Sequence, residues 1–132
     1  MDERVRVFLE RHHAAVMVTL RRDGMPHVAR IAVGLVDGRL WSSGTRTRVR
    51  TGHLRRDPRA TLCVLDERNR YAWLGLETRV TVHDGPDAVD RNLMLYRALA
   101  GEPSDEAEYR EAMVREERLV YEFEILRAYG QY

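Results

Sequence analysis

The chain has 132 residues, of which 44% are hydrophobic and 33% are charged, with a formal net charge of +1. These values suit a soluble globular domain, which we place at 1–132, and the balanced charge argues against a dedicated nucleic-acid-binding protein. No apolar run approaches the ~20 residues of a membrane span, and the charged N-terminus does not resemble a signal peptide, so we expect a cytoplasmic protein.

A helix and an antiparallel meander are predicted for the first half of the chain. The spacing of apolar residues predicts a helix over 3–12 and strands over 14–22, 27–36 and 39–43. Asp23-Gly24 and Asp37-Gly38 lie between these strands, and two-residue turns of this type join antiparallel strands only.

The second half alternates helices with longer strands. We expect a helix from Thr45 or Thr47 to Asp57-Pro58, strands over 59–66 and 71–84, helices over 86–100 and 105–116, and a last strand over 118–126. A threonine hydroxyl can cap the first helix, Gly75 can bend the longest strand, and Pro86 suits a first helical turn. Six strands with three or four helices indicate an α+β fold, in which a closed or nearly closed small antiparallel barrel hides the strand edges.

The strongest local signal is a basic stretch between the third strand and the following helix, SSGTRTRVRTGHLRRDPR at 42–59. It holds six arginines and one aspartate, a net charge of +5. Small residues at the strand end allow another molecule to approach the backbone, while hydroxyls, helix N–H groups and guanidinium forks can all donate to an anion. This combination predicts a phosphate cradle, and the alternative is a solvated helix with an arginine face.

Other chemistries have weaker signals. The five histidines show no metal-ligand spacing, and the chain has no nucleophile elbow, no dinucleotide-binding glycine motif and no P-loop. We therefore expect no metal site. The single cysteine, Cys63, lies in an apolar strand and is interpreted as a buried structural thiol.

Three segments, DGMPHV at 23–28, DGRLWSSG at 37–44 and RTGHLRRDPRATLCV at 50–64, resemble the flavin/deazaflavin split-barrel superfamily of pyridoxamine 5'-phosphate oxidase. In particular they resemble its actinobacterial branch of reductases dependent on coenzyme F420. The resemblance implies a six-stranded split barrel and a homodimer with two cofactor sites at the interface. It also implies an oxidoreductase that transfers hydride from reduced deazaflavin to an unsaturated small-molecule substrate, with no nucleic-acid or membrane partner.

The resemblance further implies which residues hold the cofactor. The family's phosphate-binding lysine or arginine lies eight residues before the proline of an Asp-Pro pair, which is Arg50 in this sequence. Two positions depart from the family pattern, because Val49 replaces a common basic residue and His53 replaces a common asparagine. The complete implied cofactor-binding set is Pro26, His27, Ser42, Ser43, Gly44, Thr45, Arg48, Arg50 and His53.

Coenzyme F420 is the cofactor that the charge pattern favours, and FMN is the alternative. FMN ends in one phosphate, whereas the deazaflavin coenzyme continues past its phosphodiester into an oligoglutamate tail, which suits a longer basic surface. That surface is a predicted arginine stripe formed by Arg46, Arg48, Arg50, Arg55 and Arg56. Two further hypotheses are an FMN-binding oxidase or reductase of the same fold and a non-catalytic module that carries a cofactor or binds nucleic acid through its basic face. The catalytic residue is not assigned; the candidate proton donors, none supported by spacing, are His27, Tyr71 and Tyr129.

Overall fold

The computed structural model describes all residues from Met1 to Tyr132 as a seven-stranded antiparallel sheet with four helices. The helices are α1 (Glu3–Arg11), α2 (Val49–Arg56), α3 (Ala88–Ala100) and α4 (Glu106–Arg115). The strands are β1 (Ala14–Leu20), β2 (Pro26–Ala32), β3 (Gly34–Val36), β4 (Arg39–Thr45), β5 (Arg59–Leu65), β6 (Trp73–His83) and β7 (Arg118–Gln131). Their order across the sheet is β2-β1-β5-β6-β7-β4-β3. The predicted α+β split barrel is confirmed.

The seventh strand arises because the segment predicted as one strand over 27–36 is divided at Val33. β2 pairs with β1, whereas β3 pairs with β4 at the opposite edge of the sheet. The chain crosses between the two edges at Val33, whose N–H donates to the carbonyl oxygen of His13 at 2.8 Å. The two edge strands are therefore consecutive in the chain, and the sheet curls into a half-barrel.

The inner face of the sheet carries the main hydrophobic core, a cluster of 18 buried residues. Burial alternates along β1, where Ala15, Met17 and Thr19 point inward. The apolar face of α1 contributes further residues to this core. A second, smaller cluster connects the outer face of the sheet to α3 and consists of Val36, Trp41, Leu95 and Val120.

The longest strands carry one irregularity, and it does not lie where the sequence predicts it. The register of β6 against β7 shifts between Glu77 and Thr78, so the prediction of a bend at Gly75 is wrong. Gly75 instead makes room for an aromatic ring: a Cβ there would stand 2.6 Å from Cε2 of Tyr129. Glycine is required at this position by close packing rather than by curvature.

Two other local predictions need correction. Pro86 lies outside the helix that we expected it to open, because α3 begins at Ala88 with Asp87 as its N-cap. Cys63 is half-buried on the outer face of β5, and this burial raises the pKa of its thiol. No helix of the structure combines the length and the apolar character that are needed to cross a bilayer.

Candidate functional site

Helix α2 is anchored firmly to the sheet that it packs against. The hydroxyl of Thr51 donates to the carbonyl oxygen of Thr45 at 2.7 Å and also hydrogen-bonds to the hydroxyl of Tyr121. Leu54 inserts into the main core and is 2% exposed. At the C-terminal end the backbone turns extended at Asp57, as the Asp-Pro pair predicts. The helix that carries the basic residues is therefore held in a defined position.

The N-terminus of α2 has no side-chain cap. The predicted cap by Thr45 or Thr47 is wrong, because β4 continues through Thr45 and the helix begins only at Val49, with Arg48 in the N-cap position. The two threonine hydroxyls lie 3.3 Å from each other instead. The first turn also contains no acidic residue. Since a helix N-terminus carries partial positive charge, arginines without an acceptor make this end a favourable place for an anion.

The arginines of the basic stretch differ in whether they already have a partner. Arg46 and Arg55 both bind Asp84: Nε of Arg46 lies 2.8 and 3.0 Å from the two carboxylate oxygens, and Nη2 of Arg55 lies 2.7 Å from Oδ2. The predicted stripe of five arginines is therefore interrupted, since one carboxylate partly neutralises two of its members. The other occupied arginines are Arg56, which donates to the carbonyl oxygen of Leu20, and Arg59, which pairs with Asp57.

Arg48 and Arg50 are the two arginines of the stretch that the structure leaves without a partner. No carboxylate lies within ion-pairing distance of either, and Nε of Arg50 is buried without any hydrogen-bond partner. Buried polar atoms are almost always hydrogen-bonded in folded proteins. An unpaired guanidinium nitrogen at an uncapped helix N-terminus therefore indicates a place for an anionic ligand.

Two histidines and a threonine meet beside this helix. The rings of His27 and His53 lie edge to face with centroids 5.1 Å apart. Thr19, the cross-strand neighbour of His27, has its Oγ1 2.9 Å from Nδ1 of His53. Burial, with smaller contributions from His27 and nearby arginines, lowers the pKa of His53 below its ordinary value of 6.5. Burial therefore favours the neutral form of His53, whereas Nδ1 of His27 is buried and has no partner.

Arg50 and His53 belong to the same side of α2. Residues three apart on a helix are separated by about 60° around its axis, so their side chains are neighbours. Through His53 the helix also reaches His27. His27 and His53 are thus in contact, Arg50 shares the helix side of His53, and Arg50 and His27 each present one buried, unsatisfied nitrogen atom. This donor set fits the phosphate-bearing end of a flavin-type cofactor.

Other members of the predicted set have hydrogen-bond or packing partners within the protein. Ser42 is 1% exposed, and its hydroxyl donates to the carbonyl oxygen of Ala32 at 2.7 Å. The hydroxyl of Ser43 donates to Oδ1 of Asn92 at 2.6 Å, which ties β4 to α3. Gly44 lies under an aromatic ring of the core. These side chains position the elements around the arginines, and their role in binding stays a prediction.

The remaining predicted residues lie at the margins of the site. Pro26 is exposed at the first position of β2, next to His27, and Thr45 is buried at the end of β4. Sequence reasoning missed Thr19 and Asp84. Thr19 had a usable signal, because it is a polar residue on the inner face of an otherwise apolar strand. Asp84 had none, because it is 38 residues from one arginine partner and 29 from the other.

Two cavities lie away from this site. Cavities of about 500 and 550 Å³ are lined, respectively, by residues around β7 and the start of α1, and by residues at the α1–β1 and β5–β6 connections. Neither cavity contains Arg50 or His27. No group of three or more His, Cys, Asp or Glu side chains is placed to hold a metal ion.

The antiparallel sheet and its four helices define the chain as an α+β split barrel. The chain belongs to the pyridoxamine 5'-phosphate oxidase family, whose model matches residues 1–132. This family contains oxidoreductases and binds flavin-type cofactors.

Solved structures share this fold at low sequence identity. A conserved hypothetical protein from Mycobacterium tuberculosis is 20% identical with a TM-score of 0.80, and the match covers 97% of this chain and 82% of that one. An F420 reductase is 20% identical with a TM-score of 0.73 over 99% and 100% of the two chains. A putative pyridoxamine 5'-phosphate oxidase from Listeria innocua is 16% identical with a TM-score of 0.70 over 96% and 94%.

Proposed function

We propose that the protein is a reductase that uses coenzyme F420 to reduce an unsaturated small molecule. The observation that carries this proposal is the pair of buried, unpartnered nitrogens, Nε of Arg50 and Nδ1 of His27, beside the uncapped start of α2. Membership of the family supports a flavin-type cofactor, and the full-length likeness to an F420 reductase supports the choice of the deazaflavin.

The chain's own residues bind and orient the cofactor in this proposal. Arg50, Arg48 and the first N–H groups of α2 bind the phosphate, and a guanidinium fork fixes its orientation as well as its charge. When bound, the reduced deazaflavin supplies the hydride, and the protein supplies the geometry. Because α2 carries the arginines that would hold the phosphate, displacement of this helix would shift a bound cofactor relative to its substrate and reduce turnover.

His27 is the one candidate proton donor that lies at this site. Tyr71 is 74% exposed in the connection between β5 and β6. Tyr129 packs edge to face against Trp73 on the outer face of the sheet. Because His27 lies beside the anion site, its unpartnered Nδ1 is assigned to ligand binding there, and no residue is assigned as the proton donor.

Titration of the purified protein with coenzyme F420, followed by ring fluorescence, tests the proposal. Because a charged hydrogen bond is worth about 1.5–3 kcal/mol, Arg50→Ala should weaken binding by roughly tenfold or more. Arg50→Lys should recover part of the loss, since it restores the charge without the fork. Arg115→Ala, which removes an exposed charge in the last turn of α4, is the matched control and should leave affinity unchanged. Equal affinity of wild type and Arg50→Ala would place the phosphate elsewhere.

A second candidate, an FMN-dependent enzyme of the same fold, is favoured by one observation. Asp84 occupies Arg46 and Arg55, which leaves Arg48 and Arg50 as the unpaired pair, and two arginines match a single phosphate. This candidate predicts a yellow protein on purification and tighter binding of FMN than of coenzyme F420. A colourless protein that binds the deazaflavin at micromolar concentration excludes it.

We also propose that the protein forms a homodimer through the outer face of β1 and β2. The outward side chains Val16, Val18 and Leu20 are half-buried, although the inward side of the same strand already faces the core. Val28, the cross-strand neighbour of Val18, is 64% exposed. A strand that is apolar on both faces is typical of a strand buried on both faces. A second copy of the chain would cover this surface and form one side of the cofactor site.

Sedimentation of two glutamate variants tests the dimer. Val28→Glu should dissociate it, because each chain would bury a charge in the interface. Val114→Glu is the control, since Val114 is 68% exposed on α4 and lies on another surface. A monomeric wild type, or a dimer that survives Val28→Glu, would contradict this arrangement.

A further inference from the structure

We infer that Asp84 is a specificity-determining residue, which withholds Arg46 and Arg55 from anionic ligands so that Arg48 and Arg50 alone define the anion site. This inference rests on the proposed function in one respect, because it takes the start of α2 as the place where an anion binds. It adds that the charge available to a ligand is set by a carboxylate from a distant strand end.

The contacts of Asp84 are short and shared. Its carboxylate accepts one bifurcated hydrogen bond from Nε of Arg46, at 2.8 and 3.0 Å from the two oxygens, and one hydrogen bond from Nη2 of Arg55 at 2.7 Å. The Asp84 side chain is only 16% exposed, whereas those of the two arginines are 53% and 49% exposed. The carboxylate therefore sits inside the pair, and a ligand can approach only the outer sides of the guanidinium groups.

The position of this cluster separates it from the unpaired arginines. Arg55 lies five residues after Arg50 on α2, which places the two side chains about 140° apart around the helix axis. Arg50 faces the side of the helix that carries His53, and Arg55 faces Asp84. An anion bound at Arg50 therefore leaves the Asp84 cluster undisturbed.

Chemistry also disfavours exchange of Asp84 for a ligand. The tail of the deazaflavin coenzyme carries carboxylates, and a carboxylate that replaced Asp84 would form the same type of bond that it broke. The exchange would also leave Asp84 unpaired close to the ligand's own negative charge. Because Asp84 belongs to the same chain, it has the higher effective concentration. The two arginines and Asp84 together keep one net positive charge, which lies on exposed guanidinium groups, and salt screens its attraction for a ligand.

Neutralising Asp84 should therefore release a binding surface that the wild type lacks. We expect Asp84→Asn to bind a long-tailed form of coenzyme F420 about fivefold more tightly than wild type, with little change for a single-glutamate form, since an exposed ion pair contributes up to about this factor. Asp57→Asn is the matched control, because it makes the same change of net charge and frees only Arg59. A gain of equal size in both variants would reduce the effect to net charge and overturn the inference.

Removal of the arginines gives a second test that does not depend on the Asp84 variant. In wild type, Arg46→Gln should change affinity for the long-tailed coenzyme less than about twofold, because that arginine is already occupied. In the Asp84→Asn background the same change should abolish the gain. A clear loss of affinity for the wild-type protein on Arg46→Gln would mean that the ligand uses this arginine, and it would overturn the inference.

Inorganic anions separate this inference from the proposed function. Thermal denaturation in the presence of tripolyphosphate or phosphate measures anion binding without any cofactor. Asp84→Asn should be stabilised by tripolyphosphate, relative to phosphate, more than wild type or Asp57→Asn. If wild type binds neither coenzyme F420 nor FMN, the proposed function fails, and the tripolyphosphate comparison still decides the role of Asp84. An Asp84→Asn variant with no added preference for tripolyphosphate would show that the inference is wrong.

Discussion

The ring of Tyr121 lies directly on Gly44, so closely that a Cβ on the glycine would overlap with Cζ and Oη of the phenol. Tyr121 comes from β7 and is completely buried, and its hydroxyl hydrogen-bonds to Thr51 on α2. The missing side chain of Gly44 therefore lets a tyrosine of the core reach the helix that carries Arg50. This contact links the packing of the barrel to the position of the candidate anion site.

Substitution of Gly44 by alanine should destabilise the fold. The added methyl group overlaps with a buried ring, and overpacking of this kind costs about 1–3 kcal/mol. Gly52→Ala is the control, because a Cβ there meets no atom within 4 Å and alanine favours the helix by up to about 1 kcal/mol. Urea denaturation measures both changes. A Gly44→Ala protein as stable as wild type would show that Tyr121 moves aside without cost.

Removal of the Tyr121 hydroxyl should loosen α2. Tyr121→Phe loses the hydrogen bond to Thr51, which lowers the free energy of unfolding by about 0.5–1.5 kcal/mol. We also expect weaker cofactor binding, because the helix that presents Arg50 is less well fixed. Tyr96→Phe is the control, since Tyr96 is 36% exposed and makes no side-chain hydrogen bond. The two variants are compared by urea denaturation and by fluorescence titration. Equal stability and equal cofactor affinity of the two variants would show that the Tyr121 hydroxyl does not fix the position of α2.

The buried His53 should make stability depend on pH. Burial lowers the pKa of His53 in the folded protein below its ordinary value of 6.5. At pH values between this lowered pKa and 6.5, the unfolded chain therefore binds more protons than the folded protein. Its contribution to stability is full above pH 6.5 and is lost as the pH falls through the lowered pKa. In His53→Gln this part of the pH dependence should disappear. Denaturation midpoints measured between about pH 5 and 8 provide the test, and a variant with the wild-type slope would exclude His53 as the cause.

Local patterns predicted most of the fold. The two Asp-Gly turns and the alternation of β1 predict the hairpins β1-β2 and β3-β4, because turn geometry and strand periodicity are local properties. The meander expected from these turns is wrong, because the two hairpins lie at opposite edges of the sheet. The division of the predicted strand over 27–36 into β2 and β3 at Val33 has no local signal. The residues on either side of it are equally apolar, and only the closure of the sheet determines that β3 pairs with β4 at the other edge.

The candidate site was predictable where its signal was local and not where it depends on distant partners. The family resemblance implies Arg50 through the local Asp57-Pro58 motif, and the structure leaves its Nε without a partner. The interrupted arginine stripe could not be predicted, because Asp84 lies on a different element and reaches the arginines only in the folded chain. The missing threonine cap has a similar origin, since pairing with β7 extends β4 as far as Thr45.

The junction at Val33 also bears on the solubility of the chain. A free strand edge can template addition of another chain, and proteins shorten or interrupt such edges to prevent fibre growth. Here one rim, β3, is only three residues long, and the other, β2, starts with a proline and presents Arg30 outward. Because the edge strands β2 and β3 are consecutive in the chain, neither can separate from the sheet without disturbing the other. The barrel is therefore protected against aggregation without being closed.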